Sequence, residues 1–407
     1  MITVKQAAEK WKVTERRVQD LCKRGEIIGA ARWGRSWMIP ENAPYPEKGK
    51  NNVFFGPNLP MPKKTPFLDM TNLYHTPGCY MESLEALSHN REAAALFEAE
   101  IAYSRGEIDK VYYHARHFLD NHSGFYAVTS AGMLLALCCM WTGDVDMWKR
   151  AKVHITEAPC KTADDHEIVG LVNACIDGAI FSVATYPDWF KKGRFSKLPK
   201  DSHPSARVFY AKYLYASAYG LASGKYHLPD VTGLGLMKIL PYILEPMITR
   251  SEADKTVIPE IYLRLICATA YHNIGDKQSA IEHVDRAIEL AEPDGLWGIF
   301  AEHRRQLDFV IDERLQEKCP EALKTVKELS VRLMEGWTKL HNSILNNTLT
   351  NQLSSREYEV AKLAAFGFTN QQISDRLNIS VASVKQAIRF AMDKTGAANR
   401  NELVMYI

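Results

Sequence analysis

From about Leu84 to Leu345, apolar residues recur every three or four positions and short polar turns interrupt them. That period is one face of an α-helix, so the spacing predicts an almost wholly helical middle of the chain. The turns fall at Arg105-Gly106-Glu107, Thr142-Gly143-Asp144 and Ile274-Gly275-Asp276, and each separates two apolar-striped segments, which reads as helical pairs. After the last turn the stripe runs through Ala280, Ile281, Val284, Ala287, Ile288 and Leu290. Residues 170 to 245 give no clean repeat, and the Gly, Pro and Tyr residues between 219 and 242 suggest a loop with a short helix. Ahead of the helical middle, Pro44, Pro46, Pro57, Pro60, Pro62 and Pro66 exclude a helix. Phe54, Phe55 and Phe67 punctuate that stretch, so it reads as extended chain laid against a neighbour.

Both ends carry compact patterns of their own. At the C-terminus, Ser354 or Ser355 caps a helix that buries Val360, Leu363 and Ala364, with Glu357 favouring its start. Thr369 caps a short second helix, Asn370 to Leu377, with Ile373 and Leu377 inward. Asn378 makes the turn, and Ser380 caps a third helix striped by Val384, Ile388 and Ala391. The outward face of that helix presents Ser383, Lys385, Gln386 and Arg389, long donors of the kind that reach base edges and phosphates in a major groove. At the N-terminus, Thr3 caps a helix burying Ala7, Ala8 and Trp11, and Thr14 caps a second burying Val18, Leu21 and Cys22. Gly25 ends it, and Ala31 to Pro40 read as a tight β-wing with Trp37 and Ile39 packed back.

Residues 353–407 resemble the LuxR/GerE-type helix-turn-helix along their whole length. The resemblance implies a four-helix DNA-binding domain with Lys385, Gln386 and Arg389 reading bases and Thr369, Asn370 and Gln371 fixing the second helix against phosphate. Ala387, Asp393 and Thr395 depart from it, standing where the family often has His, a basic residue and Leu. The helical middle resembles tetratricopeptide repeats, whose helix pairs stack into an α-solenoid. Its stretch from Arg286 to Leu307 is similar to the distal repeats of MalT-type LuxR regulators. Residues 1–40 resemble the excisionase/MerR-type winged helix-turn-helix, which implies that Arg16, Arg17 and Gln19 face a groove while Arg32 and Arg35 on the wing meet phosphate or the minor groove.

Charge bears on the ends more than on the whole. The chain of 407 residues has a formal net charge of only +2. Yet residues 1–40 hold Lys5, Lys10, Lys12, Arg16, Arg17, Lys23, Arg24, Arg32 and Arg35 against Glu9, Glu15, Asp20 and Glu26. Such clustering suits a phosphate backbone. Glu15 and Asp20 are awkward on that face, so two readings stay open for this end: DNA contact, or docking on a protein or on the chain's own helices. For the C-terminal module the bland alternative is a helical cap sealing the solenoid.

No apolar run approaches the roughly 20 residues of a membrane span, and the start lacks the apolar centre of a secretory signal. The eight cysteines are scattered, with no C-x-x-C pair, which suits buried thiols in a reducing cytoplasm. Gly220 to Lys225 falls one residue short of a phosphate-binding loop, and Tyr226 replaces its Ser or Thr. His166-Glu167 lacks the second His of a zinc-protease motif. His114 and His117 lack acid or Cys partners in sequence, so a solvated helix face is the simpler reading. No nucleophile–base constellation stands out, and no enzyme, cofactor or metal is expected.

The expected fold class is mainly α, in four parts: a winged helix-turn-helix over 1–43, a proline-rich connector over 44–76, a tetratricopeptide-like α-solenoid over 77–348 and a LuxR-type domain over 349–407. The expected function is a transcriptional regulator that binds double-stranded DNA, acts as a homodimer, and uses the solenoid as oligomerisation platform or sensor of a small molecule or peptide. No membrane partner is expected. The alternatives are a peptide-binding scaffold whose ends are docking modules, and an architectural factor for recombination.

Overall fold

In a computed structural model of the chain, residues 1–23, 27, 31–33, 36–39, 73–88, 90–120, 124–180, 185–222, 233–346, 353–365 and 367–406 are described. Two compact units divide them: residues 1–62 with 81–94, and residues 63–80 with 95–407.

In the first unit Thr3 closes a capping box with Gln6 and starts α1, Val4–Trp11. The Arg17 amide donates to Thr14 Oγ1 at 3.3 Å in the first turn of α2, Glu15–Lys23. β1 (Ile2–Thr3), β2 (Ala31–Trp33) and β3 (Ser36–Ile39) form an antiparallel sheet ordered β1-β3-β2, with Ile2 opposite Ile39 and Arg32 opposite Trp37. Ala7, Ala8, Val18, Leu21, Cys22, Ile27 and Ile39 make the core, with Trp11 and Trp37 packed on its edge. The helix end expected at Gly25 and the wing tip at Gly34-Arg35 lie outside the described residues, as does the connector from 44 to 72. The unit also includes α3, Tyr80–Ala86, from Met81 onward, and the start of α4, Arg91–Arg105.

The second unit continues with α5 (Ile108–Ala115), α6 (His117–Asp120), α7 (Phe125–Thr142), α8 (Val145–Thr156), α9 (Ala163–Ala179), α10 (Asp188–Lys191) and α11 (His203–Ala222). There follow α12 (Gly233–Asp254), α13 (Val257–Ile274), α14 (Lys277–Ala291), α15 (Trp297–Lys318) and α16 (Pro320–Leu345). Gly106, Gly143 and Gly275 all adopt positive φ, where a glycine costs least, so the three sequence turns are helix breaks. Consecutive helices pack as neighbours, α7 with α8, α12 with α13, α13 with α14 and α15 with α16. Small residues sit where helices meet closely. A Cβ on Gly298 would lie 2.6 Å from the Gly106 nitrogen, and one on Gly336 would lie 2.6 Å from the Met140 carbonyl oxygen.

Two expectations are corrected. Residues 233–242 are not a loop but the first half of α12, which continues through both Pro241 and Pro246. Met237, Leu240 and Leu244 are fully buried, and that packing outweighs the hydrogen bonds the prolines remove. The run Phe125–Thr142 is long and apolar enough to cross a membrane, against the expectation that none approaches this. It is 89% buried. A helix enclosed on all sides by protein has no polar face to show. Ahead of α3, Tyr74 is fully buried and donates to Asp294 Oδ2 at 2.5 Å, so the described end of the expected connector lies against the helices.

Candidate nucleic-acid interface

The last part of the second unit is α17 (Ser355–Ala365), α18 (Asn370–Leu377), α19 (Val381–Thr395) and a 3-10 helix, Arg400–Tyr406. Each start has its cap. The Glu357 amide donates to Ser354 Oγ at 3.3 Å, and the Ser354 amide to Glu357 Oε2 at 2.7 Å. Thr369 forms a capping box with Gln372, and Ser380 accepts from the Ser383 amide. Asn378 ends α18 in the left-handed conformation at φ 50°. The core expected from the stripes is present, with Val360, Leu363, Ala364, Ile373, Val384, Ile388 and Ala391 buried together. Only the fourth element differs, being 3-10 rather than α.

Ser383, Lys385, Gln386 and Arg389 are exposed on α19, opposite its buried stripe. Arg389 Nε lies 3.9 Å from Asp393 Oδ2, one turn on, with both side chains in solvent. Phe390 is also exposed beside Arg389, an apolar ring that the pattern of polar donors does not single out. On α18, Thr369 and Gln371 are exposed, and Gln371 Nε2 donates to Asp375 Oδ1 at 2.8 Å. Asn370 is half-buried and its Oδ1 accepts from Arg400 Nη1 at 2.8 Å. Arg400 also donates to the Phe368 and Ala364 carbonyls and so clamps the turn between α17 and α18. Of the departures from the family pattern, Ala387 lies in the core and Thr395 satisfies its buried hydroxyl on the Ala391 carbonyl at 2.7 Å. In the first unit Arg16 and Gln19 are exposed and Arg17 is half-buried on α2. Arg32 lies on β2, and Arg35 is outside the described residues.

The α17–α19 segment is held to the helices before it. Glu359 Oε1 lies 3.0 Å from His272 Nε2, and the Arg376 guanidinium donates to the His272 carbonyl. Lys362 Nζ donates to the Gln306 carbonyl at 3.1 Å, and the Arg305 guanidinium stands 4.1 Å over the Tyr358 ring. Burial pushes the His272 pKa down, and the Glu359 hydrogen bond only partly offsets this. For Glu359 burial acts upward, but His272 and the Lys362 charge outweigh it and hold the carboxyl low. The two shifts agree: a neutral imidazole faces a carboxylate. No local motif announces Arg376 or Arg400; their partners are main-chain carbonyls far off in sequence.

The sequence of residues 351–407 matches the family described as "Bacterial regulatory proteins, luxR family". The C-terminal segment is a LuxR/GerE-type helix-turn-helix domain. The chain is 26% identical over 146 residues to the HTH-type transcriptional regulator MalT of Vibrio cholerae serotype O1, covering 32% of this chain and 16% of that protein. It is 34% identical over 89 residues to the probable transcriptional regulator ycf29 of Pyropia yezoensis, covering 21% of this chain and 40% of that one. The chain thus spans less than half the length of either relative. No solved structure matches it.

Proposed function

We propose that the chain is a cytoplasmic, sequence-specific transcriptional regulator whose α19 enters the major groove of double-stranded DNA. The observation that carries this reading is the division of α19 within a LuxR-type domain. Val384, Ile388 and Ala391 are spent on the core, while Lys385, Gln386 and Arg389 stand in solvent. Thr369 and Gln371 then meet the flanking phosphates from the start of α18. Asn370 contributes by anchoring Arg400 and leaves only its amide nitrogen for phosphate.

The helical middle, read as a tetratricopeptide-like solenoid, is the sensing and oligomerising part. Supporting a sensor is a narrow cavity between α4, α7, α11, α13 and α15. Glu302 lies in its wall, accepting from Tyr103 at 2.8 Å, Tyr262 at 3.0 Å and Lys212 at 3.0 Å. Phe209 and Tyr262 wall it with rings that also face the Lys212 ammonium. Its apolar wall and few converging polar groups are of the kind an effector site uses, but at about 40 Å³ it has room for only a few waters, so an effector would bind by widening it. In this reading the chain acts as a homodimer on paired half-sites, and the N-terminal module supplies a second basic contact.

Selection of bound sequences from random duplex by the full chain tests the proposal. Enrichment of one motif, and a log-log salt slope of several units on it, are the expected results. A scaffold with docking modules at its ends would enrich nothing and show a flat slope.

A further inference from the structure

Three helices of the second unit bring a thiol, an imidazole and a carboxylate to one point. Cys267 of α13, His283 of α14 and Glu245 of α12 each offer a ligand atom, and all three atoms lie within 4.8 Å of one another. We propose that they bind a divalent transition metal of the zinc type.

The donor set favours that class of ion. Thiolate and imidazole select borderline-soft metals, whereas magnesium and calcium demand an all-oxygen shell. Three protein ligands leave a fourth tetrahedral position for water. Glu245 supplies the way in, since its side chain is 42% exposed while His283 is 10% exposed. On binding, the metal takes the Cys267 sulfur pair and the thiol proton passes to solvent.

The surroundings already hold two of the ligands in place. His283 Nε2 lies 3.0 Å from Glu245 Oε1, and Tyr271 donates to the same oxygen at 3.1 Å. The Tyr271 ring stacks on the His283 ring at 5.5 Å between centroids. Nearby Arg264 would repel a cation, but Glu260 and Glu252 both pair with it. The second ring nitrogen of His283 is buried and without a hydrogen-bond partner.

The site also answers a weakness in the fold. Glu245 sits immediately before Pro246 and four residues after Pro241, in a helix that lacks the hydrogen bonds both prolines delete. A metal fixed to α13 and α14 would pin α12 where its own backbone is least able to. Sequence spacing gives no hint of this, because the ligands come from three separate helices. The inference stands independently of DNA binding.

The full chain, freed of metal by chelator and dialysis, is titrated with Zn2+ against a chromophoric chelator and with Co2+ while absorbance is read. One tightly bound equivalent and a thiolate-to-cobalt charge-transfer band are expected. Cys267→Ser should abolish the band, and Cys319→Ser, in a second cluster whose partners Glu292 and Glu321 are exposed, should keep it. Glu245→Gln should weaken Zn2+ binding more than the roughly 10–100-fold expected of Tyr271→Phe, which removes only an outer partner. Should Cys267→Ser not fold, Glu245→Gln, at a half-exposed side chain, gives the decisive affinity. No metal uptake, a band that survives Cys267→Ser or disappears with Cys319→Ser, or unchanged affinity in Glu245→Gln would overturn the site.

Discussion

Glu359 of α17 lies 3.0 Å from the imidazole of His272, and the carbonyl of that same histidine accepts from Arg376 of α18. One residue at the end of α13 thus holds both helices that precede α19 in the DNA-binding segment. Arg376 is half-buried and its pKa is pushed down by desolvation, so the contact is made at a cost that only its partners offset. Arg376→Ala should leave the His272 carbonyl to the Gly275 amide alone, at 3.1 Å, and loosen the attachment by about 1–3 kcal/mol, the contribution of one charge-assisted hydrogen bond. Hydrogen exchange should then quicken in α17 and α18 with α7 unchanged. Equal protection in variant and parent would show that the contact contributes nothing.

Lys385→Ala or Arg389→Ala should each cost about 1–3 kcal/mol at the preferred site and relax preference at one or two base pairs. Asp393 gives a converse test. Its carboxylate stands 3.9 Å from Arg389 and would face the phosphates in a complex. Asp393→Asn should therefore tighten binding to all sequences and steepen the salt slope. Weaker binding by that variant would mean that Asp393 positions Arg389 instead of restraining it.

Acid should destabilise the second unit. His303 is buried with its Nε2 unpartnered, and burial beside the Lys212 charge pushes its pKa down to about 3. His272 and His283 are also lowered, burial again the largest cause. A histidine whose folded pKa lies below its unfolded value binds its proton more readily when unfolded. Stability is then full above about pH 6.5 and falls as pH drops below it, by at most about 1.4 kcal/mol per unit for each group. The thermal midpoint should fall between pH 7 and pH 5, and His303→Gln should flatten that dependence. An identical pH profile in the variant would remove His303 from the cause.

How much of the fold is legible in sequence depends on how local each signal is. Thr3, Thr369 and Ser380 each act on the amide three residues on, so neighbouring letters encode their caps. The same holds for the α19 stripe. Arg400 and Arg376 bond carbonyls 32 and 104 residues away, and no pattern of nearby letters encodes that. Asn370 reads as free for phosphate because nothing near it in sequence announces Arg400 as its partner. His114 reads as a solvated face, yet its Nδ1 lies 3.1 Å from Glu98 Oε2 on the preceding helix. The prolines of α12 mislead in the other direction. Local propensity argues for a loop, while burial of Met237, Leu240 and Leu244 decides for a helix.

The N-terminal module separates two outcomes most sharply. Arg16 is exposed at the start of α2 and Arg17 half-buried beside it, while Arg32 lies on β2 opposite Trp37. If the module grips DNA by helix and wing, Arg32→Ala with Arg35→Ala should lower the salt slope of the full chain by about two, one unit for each phosphate no longer neutralised. A footprint of the full chain should show two protected patches, and deletion of residues 1–43 should erase one. If the module docks on protein instead, the deletion leaves one intact patch and alters oligomeric state or thermal stability. Glu15, exposed on the same helix, would repel phosphate and favours that second outcome. Glu15→Gln distinguishes them directly: it should tighten DNA binding if α2 approaches the backbone and leave it unchanged if α2 faces protein.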